Sequence, residues 1–158
     1  MPQRRPMVVA VSDDSDSEAA VQWILEHLAR PGADIVHVVH IVPQQHGVYT
    51  EAAHLPPLAV QRDTMVQHAK GFCSKRFCPM LDEHKVEHTV EVVQAGGEAA
   101  AIGGALCDKA QQLHARLLVL APHRKGAVKR ILVGSVTDYC LSKAPCPVLI
   151  VKSQQAEP

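Results

Sequence analysis

A single-domain α/β fold, with five parallel strands in a doubly wound sheet, is what three observations in this sequence predict. Short β-branched apolar runs alternate with amphipathic stretches along the chain. That alternation means a parallel sheet with helices on both faces. The runs are continuous, as in Met7–Val11 (MVVAV), which is the pattern of strands buried on both sides. The chain has 158 residues and no internal repeat or low-complexity tract, which fits one domain.

Taken in order, Met7–Val11 is the first strand and Ser12–Ser17 a polar loop. Glu18–Arg30 places Ala20, Val21, Ile24, Leu25 and Leu28 at helical spacing, with Ser15 and Glu18 in capping-box register before it. Pro31-Gly32 stops that helix. Ile35–Val42 (IVHVVHIV) is the second strand, and Pro43–Pro57 a connection without clear period. Leu58–Cys78 reads as a helix through Met65, Ala69, Phe72 and Cys73, which Pro79 ends or kinks. Glu87–Val93 alternates as the third strand and Gly96-Gly97 turns.

Glu98–Ala115 is helical through Ile102, Leu106, Ala110 and Leu113. Gly103-Gly104 inside it costs about 1 kcal/mol per glycine relative to alanine, so the pair implies a close packing contact or a weak point. Arg116–Ala121 is the fourth strand; a basic loop, Pro122–Arg130, and an apolar piece, Ile131–Val133, follow. Ser135 is placed to cap a short helix ending at Lys143, with Asp138 in its first turn. Pro145-Cys146-Pro147 breaks it, and Val148–Val151 is the fifth strand. The domain is expected over 7–152, with an extension at 1–6 and a polar tail at 153–158.

Composition removes several functions. Lys+Arg and Asp+Glu both number 16, so the basic footprint of a nucleic-acid binder or a polybasic membrane-surface protein is missing. Aromatics are 3% of residues, too few for a base-stacking platform. No apolar run approaches the roughly 20 residues of a membrane helix. Five cysteines without framework spacing, and a polar opening segment, point to a reduced, cytoplasmic, soluble protein. His68, Cys73, Cys78 and His84 fit no standard zinc spacing. Cys140 and Cys146 are expected to pack as small hydrophobes. No nucleophile elbow or Walker-type lysine accompanies Ser135, so no catalytic constellation is expected.

In such a sheet ligands bind beyond the carboxyl ends of the strands, where the strand order reverses. The loops after the first, second and fourth strands are therefore the places to search. The segment Gly134-Ser135-Val136-Thr137-Asp138-Tyr139-Cys140 through Ala144-Pro145-Cys146-Pro147-Val148-Leu149-Ile150-Val151 resembles the C-terminal signature of the universal stress protein family. Val8–Val11 leading to Ala20 and Trp23, His40-Ile41-Val42-Pro43, and Gly96–Ile102 also fit it. Pro43–Lys85 matches least. The resemblance implies a fold of the adenine nucleotide alpha hydrolase-like type, usually dimeric, in a family of which many members bind ATP or AMP and others do not.

The family's phosphate cradle is a Gly-x-x-Gly turn after the fourth strand followed by a Gly-Ser or Gly-Thr pair. Here the pair is intact as Gly134-Ser135, while Ala121 and Arg124 stand at the two turn glycines. Where such a turn is left-handed, a residue other than glycine costs about 1–2 kcal/mol, although Gly126 is near enough to move the turn. Ser12 stands where the family carries an aspartate, with Asp13 beside it; a shift of one residue recovers a carboxylate. By resemblance, Gly134 and Ser135 hold phosphates, Val11, Ser12 and Ile41 flank adenine, and Asp13, Ala121, His123, Arg124 and Thr137 complete the candidate set. Mg²⁺ is expected only with ATP.

Arg124 either pairs with Asp13 or Asp14 and plugs the cradle, or binds a phosphate directly. The expected function is a stress-response protein with an ATP/AMP-type pocket. The alternative is an interaction module that has lost the nucleotide, and slow ATP hydrolysis is the least favoured reading. A homodimer joined through Val148, Leu149, Ile150 and Val151 is expected, because an uncovered apolar edge strand tends to pair.

Overall fold

The computed structural model describes residues 3–44, 58–122 and 134–153. The sheet is built from β1 (Arg5–Ala10), β2 (Asp34–Gln44), β3 (Glu87–Gly96), β4 (Leu117–Leu120) and β5 (Val148–Ile150). Its order is β3-β2-β1-β4-β5, and every pairing is parallel. The order reverses between β1 and β4, so the switch point falls at the carboxyl ends of those two strands. The expected five-stranded parallel α/β fold is the one observed.

The helices are α1 (Ser15–His27), α2 (Leu58–Arg76), α3 (Cys78–Glu83), α4 (Ala99–Gln112) and α5 (Ser135–Lys143). Side chains alternate across each strand, and this sorts the core into two layers. Met7, Val9, Val36, Val38 and Val119 pack with Ala20, Val21, Ile24, Leu25, Cys73, Phe77 and Leu81 from α1, α2 and α3. On the other face Val8, Val39, Leu118 and Leu120 pack with Leu106, Cys107, Ala110 and Cys140 from α4 and α5.

Several element ends differ from expectation. Phe77, fully buried, is the boundary between α2 and α3. Pro79, in the first turn of α3, has no N–H to continue the earlier ladder but is well tolerated at a helix start. β2 and β3 run on together through Val42↔Gln94, Pro43↔Ala95 and Gln44↔Gly96. Pro43 is tolerated because the β1 ladder ends at Ala10↔Val39, leaving β2 an edge on that side. α1 is capped by Asp14, whose side chain accepts from the Ser17 N–H, and not by the Ser15–Glu18 box. The N-cap of α5 is Gly134, with no side-chain cap bond; Ser135 is already helical.

Gly103 explains itself. A Cβ there would lie 2.6 Å from Tyr139 Cδ1, so the glycine is where α4 and α5 approach most closely. Gly104 is different, with a nearest neighbour, Tyr139 Oη, at 3.7 Å.

Candidate functional site

The carboxyl edge of the sheet gathers the residues the sequence singles out. β1 and β4 pair last at Val9↔Val119, so Val11 and Ala121 each stand two residues further on. Val11 donates its N–H to the Val39 carbonyl at 2.9 Å, and Ile41 lies two residues beyond that. α5 runs back between parallel β4 and β5, so its N-terminus, Gly134-Ser135, also opens on this edge. Val11, Ile41, Ala121, Gly134 and Ser135 are thus brought to one end of the fold.

Their environments differ. Val11 is buried, Ile41 and Ala121 are half-buried, and Gly134 and Ser135 are exposed. Among the described residues, nothing lies within 4 Å of a Cβ built on Gly134. Gly134 has φ −70°, which any residue adopts. A helix N-terminus favours anions. Thr137 is buried. His123 and Arg124 lie outside the described residues.

The loop after β1 is held by its own side chains. The Ser12 N–H donates to Ser17 Oγ at 2.8 Å, and the Ser17 N–H to Asp14 Oδ1 at 2.8 Å. His40 Nδ1 lies 2.7 Å from the Val11 carbonyl oxygen, so that nitrogen carries the proton and donates. The His40 ring meets Phe72 edge-on, centroids 4.9 Å apart. Asp16 accepts from Ser153 Oγ, which ties the segment after β5 to the head of α1.

Asp13 goes to a partner that the sequence did not suggest. Arg76, the last residue of α2, sits with Nη1 2.5 Å from Asp13 Oδ1 and Nε 2.9 Å from Glu18 Oε1. Asp13, the carboxylate that a shift of one residue would place at the family's aspartate, here pairs with Arg76 of α2. Likewise the acidic loop is met by α2, whereas the expected partner, the basic loop at 122–130, lies outside the described residues beyond Pro122.

Two buried polar clusters lie elsewhere. Asp34, at the amino edge, is completely buried against Arg5 and Arg116. His37 Nδ1 lies 2.8 Å from Thr89 Oγ1 and 3.6 Å from Glu91 Oε1, and Lys109 Nζ is 2.7 Å from Glu91 Oε2. Burial lowers the His37 pKa more than Glu91 restores it. Burial pushes the Cys73 and Cys140 thiols up to about 12, so both are inert packing groups at neutral pH. Among the described residues no group of three or more His, Cys, Asp or Glu is arranged to hold a metal ion. No described helix is long and apolar enough to cross a membrane. A solvent-open cleft of about 370 Å³ lies at the ends of β2 and β3 beside α2, lined by Val42, Pro43, Met65 and polar Arg62 and Gln94 among others. It lies on the β2–β3 side of the sheet, where the strand order does not reverse.

A five-stranded parallel sheet whose order reverses between β1 and β4, with helices on both faces, defines a doubly wound α/β protein. The chain belongs to the universal stress protein family, whose model matches residues 3–152. It is 27% identical, over 166 aligned residues, to the universal stress protein PHOS34 of Arabidopsis thaliana, covering 94% of this chain and 62% of the relative. The chain thus spans about three fifths of the length of the curated relatives it matches. Among solved structures it shares the fold of universal stress protein UspA from Lactobacillus plantarum, with TM-score 0.68, 22% identity and coverage of 94% and 99% of the two chains. The universal stress protein from Archaeoglobus fulgidus in complex with dAMP gives TM-score 0.56 and 22% identity, with coverage of 92% and 96%.

Proposed function

We propose that this chain is a cytoplasmic stress-response protein that binds an adenine nucleotide, AMP or ATP, at the switch point and does not turn it over. The observation that carries the reading is the N-terminus of α5 at Gly134-Ser135, on the same carboxyl edge as Val11, Ile41 and Ala121. The dAMP complex of a protein with this fold supports adenine as the base. The carboxylates nearest this edge are engaged in protein contacts, Asp13 by Arg76 and Asp14 by the α1 cap. Among the described residues no acidic cluster is arranged for a metal, so binding is expected to be insensitive to Mg²⁺. Five thiols unpaired with one another suit a reducing compartment.

Calorimetric titration with AMP and with ATP, each with and without Mg²⁺, tests this. The expected result is saturable binding to both, unchanged by Mg²⁺ and without phosphate release. No heat and no rise in the thermal midpoint would overturn it and leave the interaction module as the function.

A second reading concerns assembly. β5 is an edge strand of three half-buried residues, and an apolar edge pairs readily. The proposal is a homodimer joined at Val148, Leu149 and Ile150; Val151 is only 5% exposed and contributes from the inside. Sedimentation should give a dimer for the native chain and a monomer for Ile150→Lys. A native monomer, or a variant that remains dimeric, counts against it.

A further inference from the structure

The loop on the β1 side of the switch point and the first turn of α1 together carry Asp13, Asp14, Asp16 and Glu18 within six residues. Four carboxylates at that place oppose any phosphate brought to the neighbouring edge. Two of them are engaged locally, Asp14 as the cap of α1 and Asp16 with Ser153. The other two share one guanidinium: Arg76 reaches 2.5 Å from Asp13 and 2.9 Å from Glu18. Arg76 comes from the far end of α2, 63 residues from Asp13.

Stability is a poor reason for that arrangement. The Asp13 and Glu18 side chains are 53% and 43% exposed, and exposed ion pairs contribute about 0–1 kcal/mol. The effect that remains at such exposure is on the field. One cation placed between two anions cuts the net negative charge of the loop and fixes where those anions point, towards α2.

We infer that Arg76 is a charge-compensating latch: by engaging Asp13 and Glu18 it makes the switch point admissible to a phosphorylated ligand. It is a positioning residue, acting on the loop and not on the ligand. The inference rests on the nucleotide reading above, and the test separates the two. Affinities for ATP, AMP and adenosine are measured for wild type, Arg76→Gln, Arg76→Lys and the triple variant Arg76→Gln/Asp13→Asn/Glu18→Gln, at low and high salt, with thermal midpoints recorded for each.

Arg76→Gln should weaken ATP about tenfold and AMP about threefold and leave adenosine unchanged, because the penalty scales with ligand charge. The ATP loss should shrink at high salt. Arg76→Lys keeps the charge and most of the ATP affinity. The triple variant removes both anions with the cation and should return ATP to within about twofold of wild type. An equal loss for adenosine, or no rescue in the triple variant, would mean a merely structural contact and overturns the latch. If wild type binds ATP and Arg76→Gln binds it equally well, the latch falls and the nucleotide reading stands. If wild type binds none of the three ligands, the nucleotide reading falls and takes the latch with it.

Discussion

Replacing Asp34 with alanine should lower the unfolding free energy by about 3 kcal/mol, read as a shift of the urea midpoint at constant slope. The carboxylate has no solvent exposure. Oδ1 lies 3.0 Å from Arg5 Nε and 3.3 Å from Arg116 Nε, as charge contacts rather than aligned hydrogen bonds. Oδ2 accepts from Arg5 Nη2 at 3.1 Å and from the Arg30 N–H at 2.9 Å. One side chain therefore ties the amino ends of β1 and β2 and the approach to β4 to the turn after α1. Its loss leaves two guanidiniums facing each other and an amide without its acceptor.

The partners are unequal in their need. Arg5 and Arg116 are 48% and 33% exposed, so either can rehydrate if left alone, whereas Asp34 cannot. Arg5→Met and Arg116→Met should each cost about 1 kcal/mol, and the pair together clearly more than the sum, because only the double variant strands a buried anion. Additive losses would rule out the shared hub. Because this cluster sits at the opposite edge from Gly134, Asp34→Ala should not change nucleotide affinity under conditions where it remains folded.

What was legible in the sequence follows from how local each signal is. Apolar runs for the central strands and an alternating Glu87–Val93 became five parallel strands, since these patterns need no knowledge of neighbours. The Gly103-Gly104 pair allowed a close contact or a weak point, and the close contact is found at Gly103 alone. Caps were less legible: Asp14, Ser15 and Ser17 compete for the same amides, and backbone geometry at the end of β1 chose Asp14. Charge pairing was legible least. The acidic and basic loops invite pairing by sign alone, yet Asp13 is met by an arginine from the far end of α2. That choice depends on the path of α2 across the sheet, which no periodicity encodes. Val11, Ile41, Ala121 and Gly134 could be placed at one edge from topology, whereas the burial of Thr137 depended on the rotation of α5.

The path of α5 is itself set by Gly103, and this gives the second large effect. In Gly103→Val the new Cβ would stand 2.6, 2.9 and 3.0 Å from Tyr139 Cδ1, Cγ and Cβ. The first of these is closer than any real Cβ approaches, and the third involves an atom next to the α5 backbone, which no rotamer change moves. Overpacking of this kind costs about 1–3 kcal/mol, and the β-branched side chain gains little helix propensity to offset it. A net loss of about 2 kcal/mol is expected in thermal or urea unfolding. Gly104→Ala is the control, because its nearest atom is the far end of Tyr139 at 3.7 Å. There the helix gains up to about 1 kcal/mol with nothing to displace. Opposite signs at adjacent glycines would establish Tyr139 as the contact that matters, and Tyr139→Ala should then relieve much of the Gly103→Val defect. Since Tyr139 lies one turn into the helix that begins at Ser135, displacing it moves the helix N-terminus at Gly134. Gly103→Val should therefore weaken nucleotide binding as well as stability, whereas Asp34→Ala lowers stability alone.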